Sequence, residues 1–144
     1  MANKISPRLS EIVDALPLRP GMRVLEIGCG PGVAARAVLQ RIGNGHVLAI
    51  DRSAKAIAQA TAGSAVELAS GKLEFRCVAA EDFVLDDGER PYDLAFAVRV
   101  GALDGRDPVA GRIVLGRLQK ALANGGRLFI DGGDPLREGT LGVA

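Results

Sequence analysis

The chain has 144 residues, 48% of them hydrophobic, with 18 basic side chains against 17 acidic ones. That length suits one domain with a single core, and the hydrophobic share excludes global disorder. The formal charge of +1 gives no electrostatic reason to expect nucleic acid or an anionic membrane as a partner.

Aromatic residues are only 3% and Trp is absent, so the core must be built from Ala, Val, Leu and Ile. That favours layered helices and sheet over an aromatic-rich sandwich. No segment reaches the apolar length of a membrane span. The opening MANKISPRLS lacks an apolar signal core, so a cytoplasmic location is expected. Cys29 and Cys77 show no CxxC or Cys/His spacing and read as reduced thiols.

In chain order, Ser6-Pro7 reads as an N-cap followed by Pro at the first helical position. Leu9, Ile12, Val13 and Leu16 then give one apolar face at i, i+3, i+4 and i+7, a helix over 6–16. Pro17 and Pro20-Gly21 stop it. Arg23 to Ile27 is a buried strand, followed by VLEIGCGPG's glycines and an Ala-rich helix from Val33 to Ile42. His46 to Ile50 is a second strand. A helix capped by Ser53 runs to about Ala69, with Gly63 a break inside it. Leu73 to Val78 and Tyr92 to Val98 are the third and fourth strands. Pro108 to Ala123 is a helix, and Asn124-Gly125-Gly126 turns it into a fifth strand, Arg127 to Ile130.

Alternating strands and helices, with strands apolar on both faces, predict a Rossmann-like, doubly wound α/β domain over 1–131. Its mainly parallel sheet takes the order 3-2-1-4-5, with helices on both faces. The Gly-rich tail, 132–144, shows no element, so no late antiparallel strand pair is expected. The fifth strand then ends the sheet with an unpaired edge, which a homodimer would cover.

In such a sheet ligands bind beyond the carboxyl ends of the strands, where the strand order reverses. Gly28, Gly30 and Gly32 let the backbone turn sharply there, and their amides offer donors to a ligand. A dinucleotide site wants G-x-G-x-x-G, but Val33 stands at its last glycine. Asp51, closing the second strand 19 residues after Gly32, suits the two hydroxyls of a ribose or a local helix cap.

Five segments, VLEIGCGPG at 24–32, HVLAIDRS at 46–53, CVAAEDF at 77–83, YDLAFA at 92–97 and LQKALANGGRLFI at 118–130, resemble the class I S-adenosylmethionine-dependent methyltransferases. They occur in that family's order and spacing. The resemblance implies a methyl transfer from S-adenosylmethionine to a small-molecule acceptor. Gly28, Gly30 and Gly32 would then lie against the methionine part, and Glu26 would hold the loop or the cofactor ammonium. Asp51 would bind the ribose and Arg52 one adenine face. Ala80, Glu81 and Asp82 would meet the adenine edge, and Val98 would stand near the methyl donor. Two departures from the family pattern are Ala79, where many members carry Asp, and the short stretch after the fifth strand.

Methyl transfer needs placement of an acceptor and exclusion of water more than a nucleophile. The sole histidine, His46, begins the second strand at the end away from the ligand and reads as structural. Ser-His-Asp and metal-ligand readings therefore fail for want of residues. The stretch after the fourth strand, AVRVGALDG, lacks the Asn/Asp-Pro-Pro-aromatic tetrapeptide that, within the family, goes with amino-group methylation of nucleobases or glutamine. Arg99, Asp104, Arg106, Asp131 and Asp134 are the charged candidates at the pocket mouth, with Arg99 and Arg106 suited to an acidic acceptor and Asp131 to a base. A cofactor-binding module without catalysis and an NAD-dependent oxidoreductase are the competing readings.

Overall fold

A computed structural model describes residues 4–141. Six strands form one sheet in the order β3-β2-β1-β4-β5-β6. They are β1 (Arg23–Ile27), β2 (His46–Asp51), β3 (Leu73–Cys77), β4 (Tyr92–Ala97), β5 (Leu122–Asp131) and β6 (Leu136–Gly139). The helices are α1 (Pro7–Ala15), α2 (Val33–Leu39), α3 (Ala54–Ala62), α4 (Ala65–Ala69) and α5 (Pro108–Ala121), with a 3₁₀ turn at Ala80–Asp82. The expected order of the first five strands holds, and all four of their pairings are parallel.

The expected absence of a late antiparallel pair is wrong. Leu136–Gly139 returns along β5, pairing Leu128 with Gly139 and Asp131 with Leu136. The signal was weak because β6 is four residues long and carries Arg137, Glu138 and Gly139. Such a strand has too few alternating apolar positions to stand out from a loop. Tertiary pairing makes it, helped by Arg127, whose guanidinium meets both oxygens of Glu138 across the pair at 3.0 and 2.9 Å. The outer edge of β5 is therefore covered by the chain itself over 128–131, and the edge that motivated a homodimer does not exist there. Of the 132–144 tail, residues 142–144 lie outside the described residues.

Two apolar layers follow from the period-2 alternation of the central strands. Val24, Val47, Ala49, Leu94 and Phe96 face α1 and α2, and Leu25, Ile27, Leu48, Ile50, Ala95 and Ala97 face α5. Glu26 shares the parity of Val24, so the alternation turns a carboxylate into the α1/α2 layer. The long helix expected after Ser53 is broken at Gly63, as its sequence suggested. Three helix starts have a local cause: Ser6, Ser53 and Asp107 side chains cap α1, α3 and α5 by accepting from Leu9, Ala56 and Ala110 amides. Among the described residues no helix is long and apolar enough to cross a membrane.

Candidate functional site

The strand order reverses between β1 and β4, and two cavities flank the glycine loop at that point. The first, of about 270 Å³, is lined by Glu26, Gly28, Cys29 and Gly30, by Val98 and Arg99, and by Ser6, Arg8, Leu9 and Ile12 of the α1 segment. The second, of about 340 Å³, is lined by Gly28, Asp51, Arg52, Ala80, Glu81 and Arg99, among others. Gly28 and Arg99 line both. Asp82 lies exposed at the end of the 3₁₀ turn and lines neither.

The loop glycines serve different ends. Gly32, at φ +85°, is packed from within: a Cβ there would stand 2.9 Å from the Phe75 ring and 3.2 Å from Ala60. Gly30, at φ +53°, faces open space instead, so its missing side chain leaves room where a ligand can approach. Arg36, buried in α2, braces this loop by donating from Nη1 to the Pro31 carbonyl at 3.1 Å and to Ser64 Oγ at 2.8 Å.

The amides of the loop are not free, contrary to the expectation from sequence. Gly28 and Cys29 amides donate to the Ile50 carbonyl at 2.8 and 2.9 Å, and the Gly32 amide donates to the Cys29 carbonyl at 3.1 Å. The Gly30 amide donates to Asp51 Oδ2 at 2.9 Å, and Pro31 has no amide hydrogen. A pyrophosphate held by loop donors would find none within 28–32.

What the site offers instead is two carboxyl groups, Glu26 and Asp51. Glu26 is 3% exposed, and its Oε1 has no hydrogen-bond partner among the described residues. Burial, and secondarily the Asp51 charge, pushes its carboxyl up to about 8. A buried acceptor left unpaired costs about 1–3 kcal/mol, and a cationic donor reaching the cavity would relieve it. Asp51 shapes the adjoining turn as well: Oδ1 accepts from the Ser53 amide at 2.9 Å while Oδ2 holds Gly30. Asp51 also lines the second cavity, and a carboxylate oxygen accepts more than one hydrogen bond, which leaves capacity for a diol. The residues present thus fit an adenosyl ligand with a cationic amino-acid end.

Charged candidates after β4 and β5 sort by their partners. Asp131, 9% exposed, accepts from the Arg99 amide at 3.0 Å and lies 3.7 Å from Arg8 Nη2. Arg106 pairs with both oxygens of half-buried Asp104 and donates from Nη2 to the Arg99 carbonyl at 3.2 Å, bracing the loop. Asp134 is exposed in the β5–β6 turn. His46 sits at the opposite end of β2, where burial and Arg23 keep its imidazole below its usual range. Both cysteines are free; Cys29 lies buried in the loop, where burial pushes its thiol up.

Arg8 and Ser6 were not legible as site residues. The apolar stripe places α1 on the core, but nothing local in it says that the helix packs over the glycine loop. Arg117 was missed likewise: from α5 its Nε donates to the Glu81 carbonyl at 2.8 Å and fixes the 3₁₀ turn beside the second cavity.

Comparison with known proteins agrees with this geometry. A protein-L-isoaspartate O-methyltransferase of Methylorubrum populi is 39% identical over 124 residues, covering 86% of this chain and 51% of that protein. A nocamycin O-methyltransferase of Saccharothrix syringae is 32% identical over 142 residues, or 96% of this chain and 47% of its own length. The chain spans about half the length of these relatives. An S-adenosylmethionine-dependent methyltransferase of Thiobacillus denitrificans, solved with S-adenosyl-L-homocysteine, superposes with a TM-score of 0.68 at 24% identity, covering 90% of this chain and 50% of that one. The methyltransferase-domain family matches residues 24–126, most of the chain. The chain therefore belongs to the methyltransferase-domain family, of the class I, S-adenosylmethionine-dependent kind that its five segments resembled.

Proposed function

We propose that this chain binds S-adenosylmethionine across the two cavities and transfers its methyl group to a small-molecule acceptor in the cytoplasm. The observation that carries the reading is Glu26: a buried carboxylate with an unpaired oxygen, lining a cavity beside a loop whose amides are already used. That combination favours a ligand with an ammonium group and disfavours one with a pyrophosphate, so the NAD-dependent alternative loses its support. Two relatives are named for O-methyl transfer, which favours an oxygen acceptor here.

When bound, S-adenosylmethionine supplies a sulfonium-activated methyl group. Around it, Glu26 holds the ammonium and Asp51 the ribose. Gly28 and Gly30 let the backbone come close, and Gly32 keeps the loop packed onto Phe75 and Ala60. Arg52 would lie along the adenine face, with Ala80 and Glu81 along its edge, while Val98 would line the methyl side. Arg99 and Asp131 bound the acceptor end. Their work is binding, orientation and exclusion of water.

Thermal denaturation tests the reading. S-adenosylhomocysteine at 100 times a micromolar Kd stabilises the fold by about 2.7 kcal/mol, a rise of several degrees, whereas NAD at the same concentration leaves Tm unchanged. A rise with NAD and none with S-adenosylhomocysteine would refute it.

A further inference from the structure

Arg99 is the residue that the fold holds in a costly conformation without using its side chain. Its φ is +58°, the only non-glycine in the left-handed region among the described residues, at a cost of roughly 1 kcal/mol. The backbone is fixed on both sides, amide to Asp131 and carbonyl to Arg106. Its guanidinium has no hydrogen bond or ion pair among the described residues, and it lines both cavities. Arg8 lines the first cavity from α1 and meets Asp131 Oδ2 only at 3.7 Å. Two cations thus border one mouth, with a single carboxylate between them, while Leu9, Ile12 and Val98 give the cavity apolar walls.

The same lining has no group suited to take a proton. Among the described residues it holds no histidine; its one carboxyl, Glu26, is committed to the ligand's ammonium in the reading above, and its one thiol, Cys29, is pushed up by burial. Asp131 is turned to Arg99 and Arg8. An acceptor that must lose a proton finds no base there, whereas an acceptor already ionised needs none.

Resting on the methyltransferase reading above, we infer that the acceptor is a small organic carboxylate, held by Arg8 and Arg99 and methylated on oxygen to an ester. A carboxylate is ionised at neutral pH, and its planar fork matches guanidinium donors. In the step, a carboxylate oxygen bonds to the methyl carbon as the carbon–sulfur bond breaks. The bonding pair stays on sulfur, and no proton leaves.

The test incubates the whole chain with methyl-labelled S-adenosylmethionine and low-mass bacterial extract resolved by anion exchange. S-adenosylhomocysteine binding is measured in parallel. The expected result is label formed when the anionic fraction supplies the acceptor, in a product that base converts to volatile methanol. In Arg8→Gln that signal falls about tenfold or more, while S-adenosylhomocysteine affinity stays within about twofold. Arg8→Lys, which keeps charge but not the fork, recovers only part of it. Base-stable label, label formed only when the neutral fraction supplies the acceptor, or no label with S-adenosylhomocysteine still bound would each overturn the ester assignment and leave the cofactor site standing. Failure to bind S-adenosylhomocysteine would instead overturn the underlying reading.

Discussion

The two cavities flanking the glycine loop differ in how their walls are encoded. The second takes Asp51 and Arg52 from the end of β2, Ala80 and Glu81 from the turn after β3, and Arg99 to Ala102 from the loop after β4. The first takes Arg8, Leu9 and Ile12 from a helix that precedes the sheet, and Val98 and Arg99 from a loop after β4. One wall is written in short segments whose position follows from strand order. The other arises only when distant segments pack. In the reading proposed above, the cofactor spans both cavities and the acceptor meets it at the mouth of the first.

The largest effect that tests this division comes from Asp51. It joins the Gly30 and Ser53 amides and faces the second cavity, so Asp51→Ala removes charge-assisted contacts worth about 1.5–3 kcal/mol each. S-adenosylhomocysteine affinity should fall roughly a hundredfold or more in a calorimetric titration. A change below tenfold would mean the second cavity is not where the ribose lies.

Next come the glycines, which separate packing from ligand approach. Gly32→Ala puts a methyl 2.9 Å from Phe75 at φ +85°, and should destabilise the fold by about 1–3 kcal/mol in urea unfolding. Gly30→Ala meets nothing within 4 Å, so it should cost only about 1 kcal/mol of stability yet weaken S-adenosylhomocysteine by more than tenfold. Equal effects on stability and binding at both positions would erase the distinction.

The smallest effect concerns Glu26. Its carboxyl is raised from 4.5 to about 8, so the folded state binds a proton that the unfolded state gives up. The stability this contributes is complete below pH 4.5 and is lost as pH rises through about 8. Glu26→Gln keeps the shape without the charge, and should flatten the fall of Tm with pH across that window. The substitution should also weaken S-adenosylhomocysteine about tenfold. An unchanged pH profile would show that Glu26 is not buried as its surroundings indicate.

How far the sequence spoke follows the same division. Five parallel-sheet elements were legible because most are largely apolar runs between turn or capping residues, while the third, LEFRC, alternates. Glu26 stood out as a carboxylate inside such a run, with a structural hydrogen bond to the loop amides as the open alternative; the fold leaves its Oε1 without a partner among the described residues. β6 was not, since four residues ending in Arg137, Glu138 and Gly139 take their strand form from pairing with β5. Nor was the use of the loop amides, which depends on Ile50 offering its carbonyl to both Gly28 and Cys29. Arg8 and Arg117 act at a distance from their own elements, and no local pattern announces that.

The most direct test of the central claim is calorimetric titration with S-adenosylhomocysteine at pH 7 in two buffers of different ionisation enthalpy. If the ammonium is received by Glu26, whose carboxyl sits near 8 before binding, binding drives that carboxyl to ionise and releases up to about 0.9 proton per site. In Glu26→Gln the release disappears. Binding without proton release in the unsubstituted chain, or release that persists in Glu26→Gln, would contradict the account by showing that the amino-acid end of the ligand lies elsewhere.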